Sequence, residues 1–514
     1  MHDQFYNSIT LKYALVPLIL AVASSFSIYK SDPQLQARAV KSNNPASESI
    51  YQLLDLPVEK MKNTTGVFTI ESGGNSLITR LWLFEHAQKS IDIQYYSFGR
   101  DVTGIIACEY VVRAANRGVK VRLLVDEAAG KMNPHAVQVL DAHENIEVRV
   151  YNAGLRLGLP LRRLKKLAEN HHRILRRMHN KTLNIDECVA ITGGRNISAE
   201  YFDFDKRYNF RDRDVVLMGK TAGDVKNSFD QFWNDELTVK YSDLSGREKP
   251  FTEQSLFEDL RGEAKDTSIY LPKIRERVRA FPDHFTALKS NGQFSMVNHV
   301  SFVSDKPGKN EDRKHWKGGI CNDSIISLIT QSKHTLDIQS PYFITTDSGK
   351  KMLRDAVLRG VKVRILTNSL ASTDNHEAFS GYQRERKKNL ATGVEIYEFK
   401  PDAAVRYKLM IPDVQAPLNY KPVYGLHSKT MIIDGKIAVI GSYNLDPRSA
   451  NLNTECVAVI RSEEVVHELA KYIEEEFQSQ NAWRTTRECN PDQKASLKKR
   501  IKVFSRRVIP KRLL

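Results

Sequence analysis

One spacing occurs twice in this chain. His179, Lys181 and Asp186 stand as His-x-Lys-x4-Asp, and His427, Lys429 and Asp434 repeat it. Gly193 and Asn196 follow the first copy at the remove at which Gly441 and Asn444 follow the second. The separation between copies is 248 residues at each of these positions. Two copies in register limit the fold more than composition does. The rest of the chain must act as two scaffolds that bring the copies together.

The repeat extends beyond the motif. Ser90–Phe98 (SIDIQYYSF) and Thr335–Phe343 (TLDIQSPYF) alternate apolar residues as strands do. Thr103–Asn116 and Lys350–Leu358 have helical spacing. Arg117–Arg122 and Arg359–Arg364 are identical, Arg-Gly-Val-Lys-Val-Arg, and third strands are predicted over Glu147–Tyr151 and Val394–Phe399. The offset drifts only between 242 and 248 across these landmarks, so the predicted event is duplication of a whole domain. Each half reads strand, helix, strand, strand, motif, which predicts an α/β layered sheet. A chain of 514 residues exceeds one ordinary core. The expected division is 1–44 as N-terminal segment and linker, 45–241 as first half, 242–298 as a polar connector helical in part, 299–493 as second half, and 494–514 as a basic tail.

The formal net charge is +16, which attracts polyanions: nucleic acid, an anionic membrane surface or phosphate-bearing substrates. Tyr13–Tyr29 carries no charge and sits at the short end for a membrane span. Ala21-Val22-Ala23 gives it a cleavage pattern as well, and an uncleaved anchor is expected in preference to a cleaved signal. Leu155–Met178 interleaves Leu161, Leu164, Leu167 or Ala168, and Leu175 with basic residues. It reads either as an interfacial helix on anionic lipid or as a packed helix with a wet basic face. The basic tail has the same two readings. Five scattered cysteines argue against a disulfide framework or a zinc site.

On a strand, residues two apart share a face, so each copy sets an imidazole beside an ammonium. The apolar strand that follows returns glycine and asparagine to the same edge, where glycine lets backbone approach a ligand. Displacement at a phosphodiester needs a nucleophile, an acid for the leaving alkoxide and donors around the nonbridging oxygens. Two histidines and two lysines supply these. A carboxylate behind each ring would fix its tautomer, and Asp214 and Glu455, each preceding an apolar strand, are the candidates. Asp186 and Asp434 complete the motif and stand with the catalytic set. They lie off the His/Lys face, however, and read equally as structural.

HNKTLNID with GGRN, and HSKTMIID with GSYN, resemble the two signature motifs of the phospholipase D superfamily, over a stretch from Glu48 to Arg484. SPYF at Ser340–Phe343, GGRNISAEYF at Gly193–Phe202, FRDRDV at Phe210–Val215 and NLDPRSANLNTE at Asn444–Glu455 resemble bacterial cardiolipin synthases and related phosphatidyltransferases. The resemblance implies duplicated phospholipase D-like α/β/α layered domains, packed into one pseudo-twofold unit with a shared active site. It implies a ping-pong mechanism through phosphohistidine with no metal and no cofactor. His179 would be the nucleophile and His427 the acid/base. Lys181, Lys429, Asn196 and Asn444 would hold phosphoryl oxygens. Ser442 would add a donor where the first copy has Gly194 and its backbone. The implied substrates are phospholipids: phosphatidylglycerol, with a second phosphatidylglycerol or phosphatidylethanolamine as donor. The implied setting is a bacterial inner membrane with an anionic surface, the chain N-terminally anchored or peripheral. No nucleic acid is implied, and one chain can serve as a monomer. The rival readings are a hydrolytic phospholipase D, a nuclease of the same superfamily, and a binding protein that keeps the scaffold.

Overall fold

The computed structural model describes residues 48–99, 101–127, 137, 140–153, 176–244, 267–309, 318–410 and 421–514. Residues from Ser49 to Leu514 belong to one unit. The apolar stretch 13–29 and the leucine-and-arginine segment up to residue 175 lie outside the described residues. None of the described helices is long and apolar enough to cross a membrane.

The first half runs β1 (Thr65–Ile70), α1 (Gly73–His86), β2 (Ser90–Tyr95), α2 (Val102–Asn116), β3 (Lys120–Asp126) and β4 (Ile146–Tyr151). It continues with β5 (Thr182–Ile185), β6 (Val189–Gly193), β7 (Tyr208–Arg211), β8 (Asp214–Gly219), α3 (Lys220–Trp233) and β9 (Thr238–Lys240). Then come α4 (Thr267–Arg279), α5 (Phe281–Ser290) and β10 (Ser295–Val297). The second half opens with β11 (Val300–Ser304), α6 (Ile320–Gln331), β12 (Thr335–Gln339), α7 (Asp347–Leu358), β13 (Lys362–Asn368), α8 (His376–Leu390) and β14 (Glu395–Phe399). It closes with β15 (Val423–Leu426), β16 (Thr430–Ile433), β17 (Ile437–Gly441), β18 (Cys456–Arg461), α9 (Glu463–Phe477), β19 (Ala482–Thr485) and α10 (Leu497–Ser505).

The duplication is visible strand for strand. One sheet has the order β10-β1-β8-β6-β5-β2-β3-β4-β9, and the other β11-β18-β17-β16-β12-β13-β14-β19. The second order repeats the first once β10 is set aside. In both, three strands run parallel (β2-β3-β4 and β12-β13-β14). The shared hexapeptide has a visible reason. Asp92 lies opposite Arg122 on β2 and β3, and Asp337 opposite Arg364 on β12 and β13. Each arginine Nε lies 2.7 Å from its aspartate. Each guanidinium also covers an aromatic ring, Phe229 at 4.7 Å and Phe477 at 4.4 Å, from the helix packed on that face. Such a fork requires arginine, since lysine lacks the planar pair of donors.

Alternation along the central strands joins the halves. On β8, Val216 and Met218 enter the core under α1 and α2, while Val215 and Leu217 enter a second core. On β18, Val457 and Val459 face their own half, and Ala458 and Ile460 join that same second core. The strands next to the motifs are thus apolar on both faces, because one face meets local helices and the other meets the opposite half. The segment read as a connector packs on the first half. Phe281 of α5 sits 4.8 Å from Trp82 of α1, ring to ring, and β10 pairs with β1.

Between the halves lies a buried charge network. Arg211 pairs with Glu71 of the first half and Glu476 of the second. Arg213 Nε is 2.8 Å from Glu71, and its Nη1 donates to Gln339 at 2.7 Å and Thr430 at 3.0 Å. Burial alone would raise the Glu71 carboxyl, but Arg213 and Arg211 hold it at about 2. Removing one member strands the others without water. Glu476→Ala is therefore expected to cost about 3–5 kcal/mol. Chemical denaturation measures it, and a loss below ~1 kcal/mol would contradict this role for the network.

Candidate functional site

The two motifs are brought together by exchange between the halves. β15 runs parallel to β7, so the backbone N–H groups of His427 and Ser428 donate to the Arg211 carbonyl at 2.8 and 3.1 Å. On the other side, Met178 bridges Thr454, and His179 N–H donates to the Thr454 carbonyl at 3.0 Å. Each histidine is thereby seated on backbone of the opposite half.

The carboxylates are exchanged in the same way. His179 Nδ1 lies 2.8 Å from Glu455 Oε2, and His427 Nδ1 lies 2.6 Å from Asp212 Oδ2. A carboxylate accepting from Nδ1–H leaves the Nε2 lone pair available for chemistry. Glu455 matches the expectation from sequence, but Asp214 does not. Asp214 instead accepts from Ser76 at 2.6 Å and pairs with Arg80 at 3.0 Å and Arg195 at 3.3 Å. Strand register explains the substitution. Gly193 lies opposite Asp214, whereas Gly441 lies opposite Val457, so the equivalent of Glu455, two residues before Val457, is Asp212. Both aspartates have the same strand parity, and periodicity cannot separate them.

Gly194 and Ser442 also differ from the expectation of phosphate donors. Gly194 N–H is committed to the Arg213 carbonyl at 3.1 Å. A Cβ on Gly194 would meet Asp212 Oδ1 at 2.2 Å, so the glycine is what lets Asp212 reach His427. Ser442 Oγ donates to Glu455, whose other oxygen accepts from Ser449 at 2.7 Å. Both positions serve the carboxylates.

Asp186 and Asp434 stand at the far ends of β5 and β16. Five residues of extended chain past the lysines amount to roughly 16 Å. Asp186 accepts from the N–H groups of Gln88, Lys89 and Ser90 at 2.7–2.9 Å. Asp434 accepts from Lys333, His334 and Thr335 at 2.7–3.0 Å. Both lie at positive φ, 51° and 54°, in the tight turns that end the strands. They are structural, and the catalytic alternative for them is set aside.

The centre is buried, and two lysines there face two carboxylates. Burial, reinforced by the lysines, lowers His179 to about 4 and His427 to about 3, against the opposing pull of Glu455 and Asp212. Burial also lowers Lys181 to about 7 and Lys429 to about 8, each pushed down further or held up by its charged neighbours. Asp212 and Glu455 stay below the usual carboxylate range despite burial, because of the histidines and lysines beside them. Both lysines fold back onto the carbonyl of their own histidine, and Lys429 Nζ also lies 3.3 Å from His427 Nε2. Asn196 spans Ser97 N–H at 3.2 Å and the Tyr201 hydroxyl at 3.0 Å. Asn444 Oδ1 has no hydrogen-bond partner among the described residues. Aromatic rings wall the His427 side, Phe210 at 4.7 Å and Tyr201 at 5.1 Å, and Tyr96 lies 5.4 Å from His179. Neutral imidazoles beside partly charged ammonium groups suit attack on an anionic phosphoryl group.

Comparison with known proteins places this geometry. The family described as cardiolipin synthase, PLD-like domain, matches residues 81–233 and 325–479. Cardiolipin synthase C of Escherichia coli (strain K12) is 33% identical over 428 residues, covering 80% of this chain and 84% of that protein. A cardiolipin synthase of Clostridium perfringens (strain SM101 / Type A) is 26% identical over 406 residues, covering 78% of this chain and 68% of the relative. In fold, the crystal structure of phosphatidylserine synthase from Haemophilus influenzae Rd KW20 superposes with a TM-score of 0.55 at 16% identity, over 89% of this chain and 99% of that one.

Two substitutions separate the roles of these aspartates. Asp212→Asn removes the negative charge that supports the imidazolium, so the His427 pKa is expected to fall further. Asp434→Ala should leave it unmoved and cost about 1–2 kcal/mol of stability through lost turn hydrogen bonds. Imidazole nitrogen NMR and thermal unfolding read the two effects, and a shift at His427 in the Asp434 variant would reverse them.

Proposed function

The chain belongs to the cardiolipin synthase family of phospholipase D-like proteins, and we propose that it joins a phosphatidyl group to the free hydroxyl of phosphatidylglycerol, with His179 carrying the phosphatidyl group between donor and acceptor. Its class is phosphatidyltransferase. The observation that carries the mechanism is the reciprocal pairing of His179 with Glu455 and His427 with Asp212.

In the first step Nε2 of His179 attacks phosphorus, and the bond from phosphorus to the donor's headgroup oxygen breaks. His179 keeps 13% of its side chain exposed against 6% for His427, which favours it as the nucleophile. The leaving oxygen takes a proton from His427. Bringing a phosphodiester anion against Lys181 and Lys429 raises the proton affinity of His427, because the anion offsets the ammonium charges that lower it. In the second step neutral His427 takes the proton of the acceptor hydroxyl, its oxygen attacks phosphorus, and the P–N bond breaks. Lys181, Lys429 and Asn444 hold the nonbridging oxygens through both steps. Phosphatidylglycerol is the acceptor, a second phosphatidylglycerol or phosphatidylethanolamine is the donor, and the reaction takes place at the bacterial inner membrane.

Purified protein in vesicles of labelled phosphatidylglycerol, with and without phosphatidylethanolamine, should yield cardiolipin by mass spectrometry. Phosphatidic acid as sole product would replace transfer with hydrolysis. His179→Ala and His427→Ala should each lower turnover by about 10³-fold or more with the fold intact. Full activity in either would sink the mechanism.

The pH dependence follows from the shifted groups. Protonating His179 removes the nucleophile, and the free enzyme loses the His427 proton at about 3. The acid limb is therefore read in kcat, where the bound phosphodiester keeps His427 protonated, and kcat rises as pH rises through the His179 range. Lys181 and Lys429 lose their charge at about 7 and about 8, so kcat/KM falls as pH rises through that range. A rate profile in mixed micelles that keeps rising beyond the second range would contradict the role given to the lysines.

A further inference from the structure

The C-terminal segment carries an apolar stripe that the described residues leave exposed. Leu497, Ile501 and Phe504 recur on one face of α10, and Val508 continues the line in the short turn after it. Their exposures are 66%, 60%, 68% and 85%. These are the large side chains that folding normally hides, set in a row at helical spacing, where scattered exposed residues would need no explanation.

The opposite side of the same helix is firmly held. Val503 enters the second-half core, as do Ala495 and Leu514 on either side of the segment. Arg384 of α8 donates to the carbonyls of Arg507 at 2.9 Å and Ile509 at 2.8 Å. Lys499 Nζ donates to the Ala371 carbonyl at 2.7 Å. The stripe is thus presented by a docked helix.

Charge identifies what the stripe meets. From Leu497 to Leu514 the chain has eight lysines and arginines and no acidic residue. Lys498, Arg500 and Lys502 flank the stripe, and none of them makes an ion pair among the described residues. Two copies of this face brought together would set cation against cation. An anionic phospholipid surface answers both features, with acyl chains for the stripe and headgroup charge for its flanks.

Position couples the stripe to the site. The Ala371 turn that α10 rests on reaches the second motif through Tyr342. Tyr208 donates to the Ser372 carbonyl at 2.5 Å, Tyr342 donates to Asp374 at 2.9 Å, and the Tyr342 ring lies 6.5 Å from that of His427. We infer that α10 and the turn after it form an interfacial docking helix, which lies on an anionic bilayer through Leu497, Ile501, Phe504 and Val508 and brings the His427 side of the site to the lipid surface. This docking is independent of the reaction proposed above and of any anchor in residues 13–29.

Hydrogen–deuterium exchange on the full chain tests it locally. The probes are vesicles rich in phosphatidylglycerol, vesicles of phosphatidylcholine alone, and no vesicles. Exchange over 497–508 is expected to slow by about tenfold or more on the anionic vesicles only. The paired substitution Ile501→Ser with Phe504→Ser should return that segment to its vesicle-free rate, with exchange over β16 and β17 unchanged in solution. The substituted side chains are exposed, so the fold does not depend on them. Unaltered exchange on anionic vesicles would overturn the inference. So would equal protection on phosphatidylcholine, or protection that appears with rising protein concentration alone, which would mark the stripe as a contact between copies. Because exchange does not require turnover, failure of the lipid-transfer reading leaves this result standing, and the reverse.

Discussion

Everything in this structure depends on a crossed hydrogen bond made twice: each motif histidine is held by a carboxylate from the other half. The acid that orients His179 comes from the second half, and the acid that orients His427 comes from the first. A half that folded alone would hold a histidine without its acid and an acid without its histidine. Both carboxylates are buried and stay ionised only because of the charges facing them. Separating the halves would expose a core shared by both sheets and break a buried network at Arg211 and Arg213. Assembly of the site and association of the halves are therefore one event.

The electrostatics of the centre follow from that enclosure. Two ammonium groups and two imidazoles share a buried space, and the fixed anions that hold the rings are the two carboxylates behind them. Burial moves protons off the histidines and weakens the hold of the lysines on theirs. A phosphodiester anion set against the two ammonium groups would offset the positive charge that lowers the histidines. On the outside of the molecule, α10 combines positive charge with an apolar stripe.

The duplication explains which features recur and which do not. The arginine–aspartate forks on β2–β3 and β12–β13 recur to the residue, because each half must brace its parallel strands against its own helix. The turn aspartates Asp186 and Asp434 recur for the same local reason. At the centre the two copies diverge. Ser442 supports Glu455 with a hydroxyl, while Gly194 makes room for Asp212, a shorter acid approached by backbone. The symmetry is a symmetry of roles met by different side chains.

The doubled spacing, the constant offset and the identical hexapeptides made the two-sheet architecture legible from the amino acids, because those features act within a half and at fixed separations along the chain. Glu455 was legible as well, since it immediately precedes an apolar strand near the second motif. Asp212 was not, because it shares its strand face with Asp214 and the choice between them is made by register against β6 and by contact with the other half. The turn role of Asp186 and Asp434 was open for a related reason: alternation gives the face a residue occupies but not which backbone groups wait there. Likewise the tail's basic character is plain in the chain. That Leu497, Ile501 and Phe504 stay outside the core, while Val503 enters it, was decided only when α10 docked on α8.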